Sequence, residues 1–242
     1  MNPQQPEPHT QPPRPPDGGD ASRAELGLGV PGGWYSRGYL PHLNTPGIVQ
    51  SVIFRLADSL PVARLAQLEE ELSCVAKTDP DRAATERRRR IEVWLDAGMG
   101  CRALAHPSVA ATVQETMLKW DGDRYRLVAW CVMPNHVHAL LEPKVELSRI
   151  LQSWKSYTGR WAMERNAELG LGVPGKRFWM RETWDRYIRD ARHFGSVRSY
   201  IERNPVAAGL CSSPEEWPWS SAGHGDAPTV ADVEVWVEKF GP

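Results

Sequence analysis

The chain has 242 residues, 24% of them charged, and a formal net charge of −1. That length supports one sizeable core with flanks, and no run of roughly 18 apolar residues is present to cross a membrane. Four scattered cysteines (Cys74, Cys101, Cys131 and Cys211) form no CxxC pair, which excludes a thiolate metal site and suits a reducing, cytoplasmic compartment.

Residues 1–37 read as a Pro/Gly-rich tail. The first 20 residues hold seven prolines and almost no large apolar side chain, so burial cannot offset the entropy of ordering them. The tail has no apolar segment of the kind a secretory signal needs. "IVQSVIFRLADSL" (49–60) has the β-branched and aromatic content of a strand. "PVARLAQLEEELSCVAK" opens with Pro61 at a helix start and continues with apolar residues at three-and-four spacing. A charged stretch follows, in which Arg87 to Arg90 face all sides of any helix and read as solvated surface. "IEVWLDAG" ends at Gly98, a plausible helix stop.

"HPSVAATVQETMLKW" (106–120) reads as a further helix, and Asp121-Gly122 as a turn. "RYRLVAWCVM" and "HVHALLEP" read as strands joined at Pro134-Asn135, so short a joint that they form an antiparallel hairpin. "ELSRILQSWKSYTGRWAMERN" is a long helix, and "TWDRYIRDARHFGSVRSYIERN" is a second helical run closed by Asn204-Pro205. These elements predict an α+β fold: an antiparallel sheet with helices packed on one face.

Charge is unevenly spread. Between Glu146 and Arg203 there are 12 Lys/Arg against 7 Asp/Glu, whereas from Asn204 onward there is one Lys against six acids. A basic central section beside an acidic end suits a polyanionic partner. One further oddity is "AELGLGVPG", which occurs at 24–32 and again, letter for letter, at 167–175. Its glycines and proline make a poor helix and a poor strand, so both copies are expected as exposed, tolerated loops.

The chemistry concentrates in "PNHVHALL". On a strand, His136 and His138 point to one face and Val137 to the other. Two imidazoles so placed can converge on one metal ion and leave coordination positions open; alternatively they are two partly exposed histidines that satisfy backbone groups. Leu140 and Glu142 continue the same face, so Glu142 is a candidate carboxylate donor, as is Asp185.

Five blocks occur in one order: "YRLVAWCVMPNHVHALLEP", "LSRILQSWKSYTGRWA", "FWMRETWDRYIRD", "YIERNPVAAGL" and "PEEWPWSSA". Together they resemble the REP-associated branch of the HUH tyrosine transposases, over residues 38–223, with an acidic extension at 224–242. The resemblance implies a ferredoxin-like antiparallel sheet with His136 and His138 on a central strand, binding Mg²⁺ or Mn²⁺. It also implies a helix-borne tyrosine that attacks a phosphate of hairpin-forming single-stranded DNA, leaving a 5′-phosphotyrosine and a free 3′-OH. The substrates implied are imperfect palindromic repeats, with no membrane partner.

The third block departs from the family pattern. Where members read "FWQREYFDR", this chain has Thr183, whose hydroxyl is a far weaker acid than a phenol. Three readings follow: Tyr187, one helical turn on, substitutes as nucleophile; Tyr157 does so; or the protein is a catalytically impaired, domesticated binder of repeat hairpins. Candidate phosphate contacts are Lys155, Arg160, Arg181, Arg189 and Arg192. Trp154, Trp161, Trp179 and Trp184 lie among them as candidates for base stacking. A third class, an RNA-binding module with an aromatic sheet face, is disfavoured by imidazoles standing where that module needs aromatics.

Overall fold

Apolar residues dominate the stretch from 125 to 143 and build the centre of the molecule. The computed structural model describes residues 34–36 and 41–224; the rest of the N-terminal tail, the first nonapeptide copy and the acidic extension beyond His224 lie outside them. Strands β3 (Gln50–Arg55), β4 (Tyr125–Val132), β5 (His136–Pro143) and β6 (Trp184–Tyr187) form one sheet in the order β4-β5-β3-β6, every pairing antiparallel. A short ribbon of β1 (Trp34–Ser36) and β2 (Pro41–Leu43) forms a separate sheet, with β2 lying alongside β6.

Among the described residues, five α-helices surround the sheet: α1 (Val62–Thr78), α2 (Pro80–Asp96), α3 (Pro107–Leu118), α4 (Leu147–Glu164) and α5 (Ala191–Ala207). The mixed antiparallel architecture is the expected one, but the helices cover both faces rather than one. Side-chain alternation sends Val52, Phe54, Val137, Ala139 and Leu141 to one side, against Val113 and Met117 of α3 and Ile150 and Trp154 of α4. Ile53 goes to the other side, against Ile91 and Leu95 of α2, as does Leu140, against Phe194 and Ile201 of α5. Both sides of the central strands are apolar, so each face needs a helical cover.

The helical run expected over 183–204 is divided. Residues 184–187 extend β3 as an edge strand, and Asp190 then caps α5, its Oδ1 accepting from the His193 N–H at 2.7 Å. Pro205 does not end α5, which continues to Ala207; so near the helix end it removes a single backbone bond. The charged stretch forms α2, and Arg87, Arg89 and Arg90 make ion pairs with Glu69, Glu71 and Glu86.

The second nonapeptide copy is the expected loop, most of it exposed, but it is anchored to the body. Leu169, Leu171 and Val173 pack onto the core, Gly170 and Gly172 take positive φ of 60° and 64°, and the Asn166 side chain brackets Val173 with two hydrogen bonds. It is a folded loop held on the body. All four cysteines are free, and no described helix is long and apolar enough to cross a membrane.

Candidate active site

The strand joint determines the histidine geometry. Asn135, fully buried, donates from Nδ2 to the Met99 carbonyl at 2.8 Å, so its Oδ1 faces His136 Nδ1 at 2.7 Å and must accept a proton from it. His136 is thereby held as the Nδ1–H tautomer, with the Nε2 lone pair turned inward. That nitrogen lies 2.8 Å from His138 Nε2 and 3.3 Å from Asp96 Oδ1. Both rings are buried, at 0% and 1% exposure, which rules out the reading of two partly exposed histidines.

Asp96, His136 and His138 present ligand atoms that all lie within 4.8 Å of one another. Asp96 is the last residue of α2, where the negative end of the helix dipole opposes a carboxylate. Burial pulls its pKa upward, but His136, when it carries a second proton on Nε2, outweighs burial through its hydrogen bond and charge and leaves Asp96 below the usual value. Burial, then the charge of His136, holds His138 down at about 3, so its imidazole is neutral and able to donate a lone pair.

Helix α5 completes the cluster. Tyr200 and Asn204 lie four residues apart, hence on one helix face. The Tyr200 hydroxyl donates to Asp96 Oδ2 at 3.3 Å, and its ring stands edge-on to His138 at 5.4 Å. Burial, followed by the charges of Asp96 and Glu92, raises the phenol pKa above its ordinary value. Tyr200 is nevertheless 44% exposed, so the residue stands at the surface beside the cluster. Asn204 Nδ2 lies 3.4 Å from both Asp96 Oδ1 and His138 Nε2, while its Oδ1 is buried without a hydrogen-bond partner.

A half-turn of that amide would bring an oxygen to the cluster, adding to two imidazole nitrogens and a carboxylate. This nitrogen–oxygen set fits a divalent cation, and the unsatisfied Asn204 oxygen and the converging ligand atoms are what such an ion would relieve.

Other expected site residues are elsewhere. Tyr187 is paired with Gln50 on the edge strand, an odd number of residues from Trp184, which shares a row with Ile53 and His138. Its side chain therefore belongs to the opposite sheet face, and a β-strand takes the place of the helix that would have carried it to the histidines. Tyr157 is exposed on α4, the helix covering that opposite face. Glu142 pairs with Arg126 at 3.3 Å, and Asp185 Oδ2 accepts from the Leu43 N–H at 3.1 Å; neither is a member of the cluster. Thr183 is buried and accepts a hydrogen bond from Lys155 Nζ at 3.1 Å.

Lys155, Arg160 and Arg181 line one groove of about 800 Å³ between α4 and residues 176–185, together with Lys176 and Arg177. Arg189 and Arg192 are exposed outside that groove, around the start of α5. Of the four tryptophans considered for stacking, Trp154, Trp179 and Trp184 are buried.

Residues 105–204 match the IS200-like transposase family. The IS200-like segment includes His136, His138, Tyr200 and Asn204, whereas Asp96 precedes it. A solved structure of a REP-associated tyrosine transposase bound to a REP hairpin is similar at 16% identity, covering 81% of this chain and 90% of that one with a TM-score of 0.48. No curated protein matches the chain.

Three residues of the cluster, Asp96, Tyr200 and Asn204, escaped the sequence reading. Asp96 had a signal, an acid at the unfavourable end of a helix. Tyr200 had one in its four-residue spacing from Asn204, within a block taken as structural closure.

Proposed function

We propose that the protein is a metal-assisted DNA strand transferase acting on hairpin-forming single-stranded repeats, with Tyr200 as nucleophile. The observation that carries this reading is the Tyr200 hydroxyl, 3.3 Å from Asp96 Oδ2 with its ring against His138. The match to IS200-like transposases over residues 105–204 agrees with it. His136, His138 and Asp96, with Asn204 beside them, would hold Mg²⁺ or Mn²⁺. Bound there, the cation would supply positive charge to a non-bridging oxygen of the scissile phosphate.

The side chains do the rest. Asp96 Oδ2 orients the phenol through the hydrogen bond it already accepts. Tyr200 Oη forms a bond to phosphorus and loses its proton to solvent. The P–O3′ bond breaks, and the departing oxygen takes a proton from water to become a 3′-OH. The product is a 5′-phosphotyrosine, which conserves the phosphodiester for later joining without ATP. Lys155, Arg160 and Arg181 hold DNA phosphates in the groove beside α4, and Arg189 and Arg192 do so near α5.

The test uses a DNA hairpin with single-stranded flanks, incubated with Mn²⁺ and run on a denaturing gel. Wild type and Tyr187→Phe are expected to give a protein–DNA adduct, and Tyr200→Phe to give none while still binding the hairpin. An adduct that survives Tyr200→Phe overturns the assignment. Hairpin binding without any adduct in wild type leaves the domesticated, non-cleaving binder.

A further inference from the structure

On the sheet face that bears His138, the neighbouring row across the strands is Leu140, Ser51 and Arg186. Arg186 is exposed on edge strand β6 and forms no ion pair among the described residues. Above this face, α2 places Arg88, Glu92 and Asp96 four residues apart on one stripe. Asp96 ends in the cluster, and Arg88 is tied to Glu92 at 2.8 Å.

These groups sense one another. Burial, then the positive charges of Arg189 and Arg88, pulls Arg186 downward, with Glu92 opposing. Arg88 also acts on His138, and Glu92 on Tyr200. Arg186 thus lies within reach of the charges of Arg189 and Arg88 on the sheet face that bears the cluster. Glu92 offsets Arg88, but Arg186 has no matching carboxylate. Arginines crowded together in this way are relieved by an external anion, and a phosphodiester meets the guanidinium fork in two places.

We infer that Arg186, with Arg88 behind it, clasps the DNA phosphate next to the one attacked by Tyr200, making the β6 edge the track along which the single strand leaves the site. This rests on the function proposed above and adds a positioning residue to it. Under the function proposed above the attacked phosphate lies in the single-stranded flank, so the contact is expected on the flank of a hairpin and not on its stem.

The test compares two oligonucleotides by fluorescence anisotropy, a hairpin with single-stranded flanks and the same stem made blunt. Arg186→Gln is expected to weaken binding of the flanked hairpin about tenfold and to reduce its log–log salt slope by about 0.7. Blunt-hairpin affinity should be unchanged. Arg88→Gln should act in the same direction, and Arg186→Lys, which keeps the charge but not the fork, should recover only part of the affinity. Because Arg186 is exposed, its variants should unfold at the wild-type temperature. Equal losses on both oligonucleotides, or no loss on either, overturn the inference. Failure of the catalytic reading is separate: a flank-specific loss at Arg186 without any Tyr200 adduct removes the chemistry and leaves the track.

Discussion

Lowering the pH from 7 to 5 should cost the folded protein about 2 kcal/mol that is traceable to His138. The side chain is 1% exposed, and burial, then His136, holds its pKa at about 3, against an ordinary value of 6.5. As pH falls below 6.5 the unfolded chain takes up a proton at this position, and the folded chain does not until pH nears 3. The unfolded state therefore binds more protons across that window, so stability declines as pH drops through it. About 1.36 kcal/mol per unit over about 1.5 units gives about 2 kcal/mol at pH 5. The assay is urea unfolding at both pH values with a chelator present, comparing wild type with His138→Gln, which is neutral throughout. The wild-type loss should exceed that of the variant by the stated amount. Parallel pH dependences would refute the reasoning, and would mean that His138 is protonated in the fold with Asp96 as counter-ion. The outcome bears on function, because only the neutral imidazole can serve as a metal ligand.

Three further outcomes are expected. Mn²⁺ at a hundredfold excess over its dissociation constant should stabilise wild type by about 2.7 kcal/mol, and His136→Ala or Asp96→Ala should abolish most of that gain in a thermal melt. Gly100→Ala should destabilise by about 3 kcal/mol, because Gly100 has φ +70° and a Cβ there would lie 2.5 Å from the backbone of Asp58 and Ser59; Gly122→Ala, at φ +81° but with nothing within 4 Å, should cost only about 1 kcal/mol by urea titration. Arg160→Gln, on the wall of the α4 groove, should reduce the salt slope of hairpin binding by about 0.9 and leave stability unchanged.

Much of the fold could be read from local pattern. The hairpin at Pro134-Asn135, the helices over 62–78, 107–118 and 147–164, and the shared face of His136 and His138 follow from alternation and helical spacing, which depend on neighbours within a turn or two. The failures share one cause. Residues 184–187 carry helix-compatible side chains, and their strand conformation comes from pairing with β3, more than 130 residues earlier in the chain. A local reading has no access to such a partner, and the error took Tyr187 with it: placed on a helix it could have reached the histidines, but on the edge strand it faces away.

The cluster divides along the same line. By itself the sequence determined that two imidazoles share one strand face, because strand period is a local property. It also determined, unread, that Tyr200 and Asn204 share one helix face. That Asp96 meets them depends on the α1–α2 hairpin folding over the sheet and ending its second helix there. That Tyr200, rather than Tyr187, supplies the phenol depends on which sheet face α5 covers. Both are matters of which apolar surfaces bury one another, and that choice exists only in the assembled core.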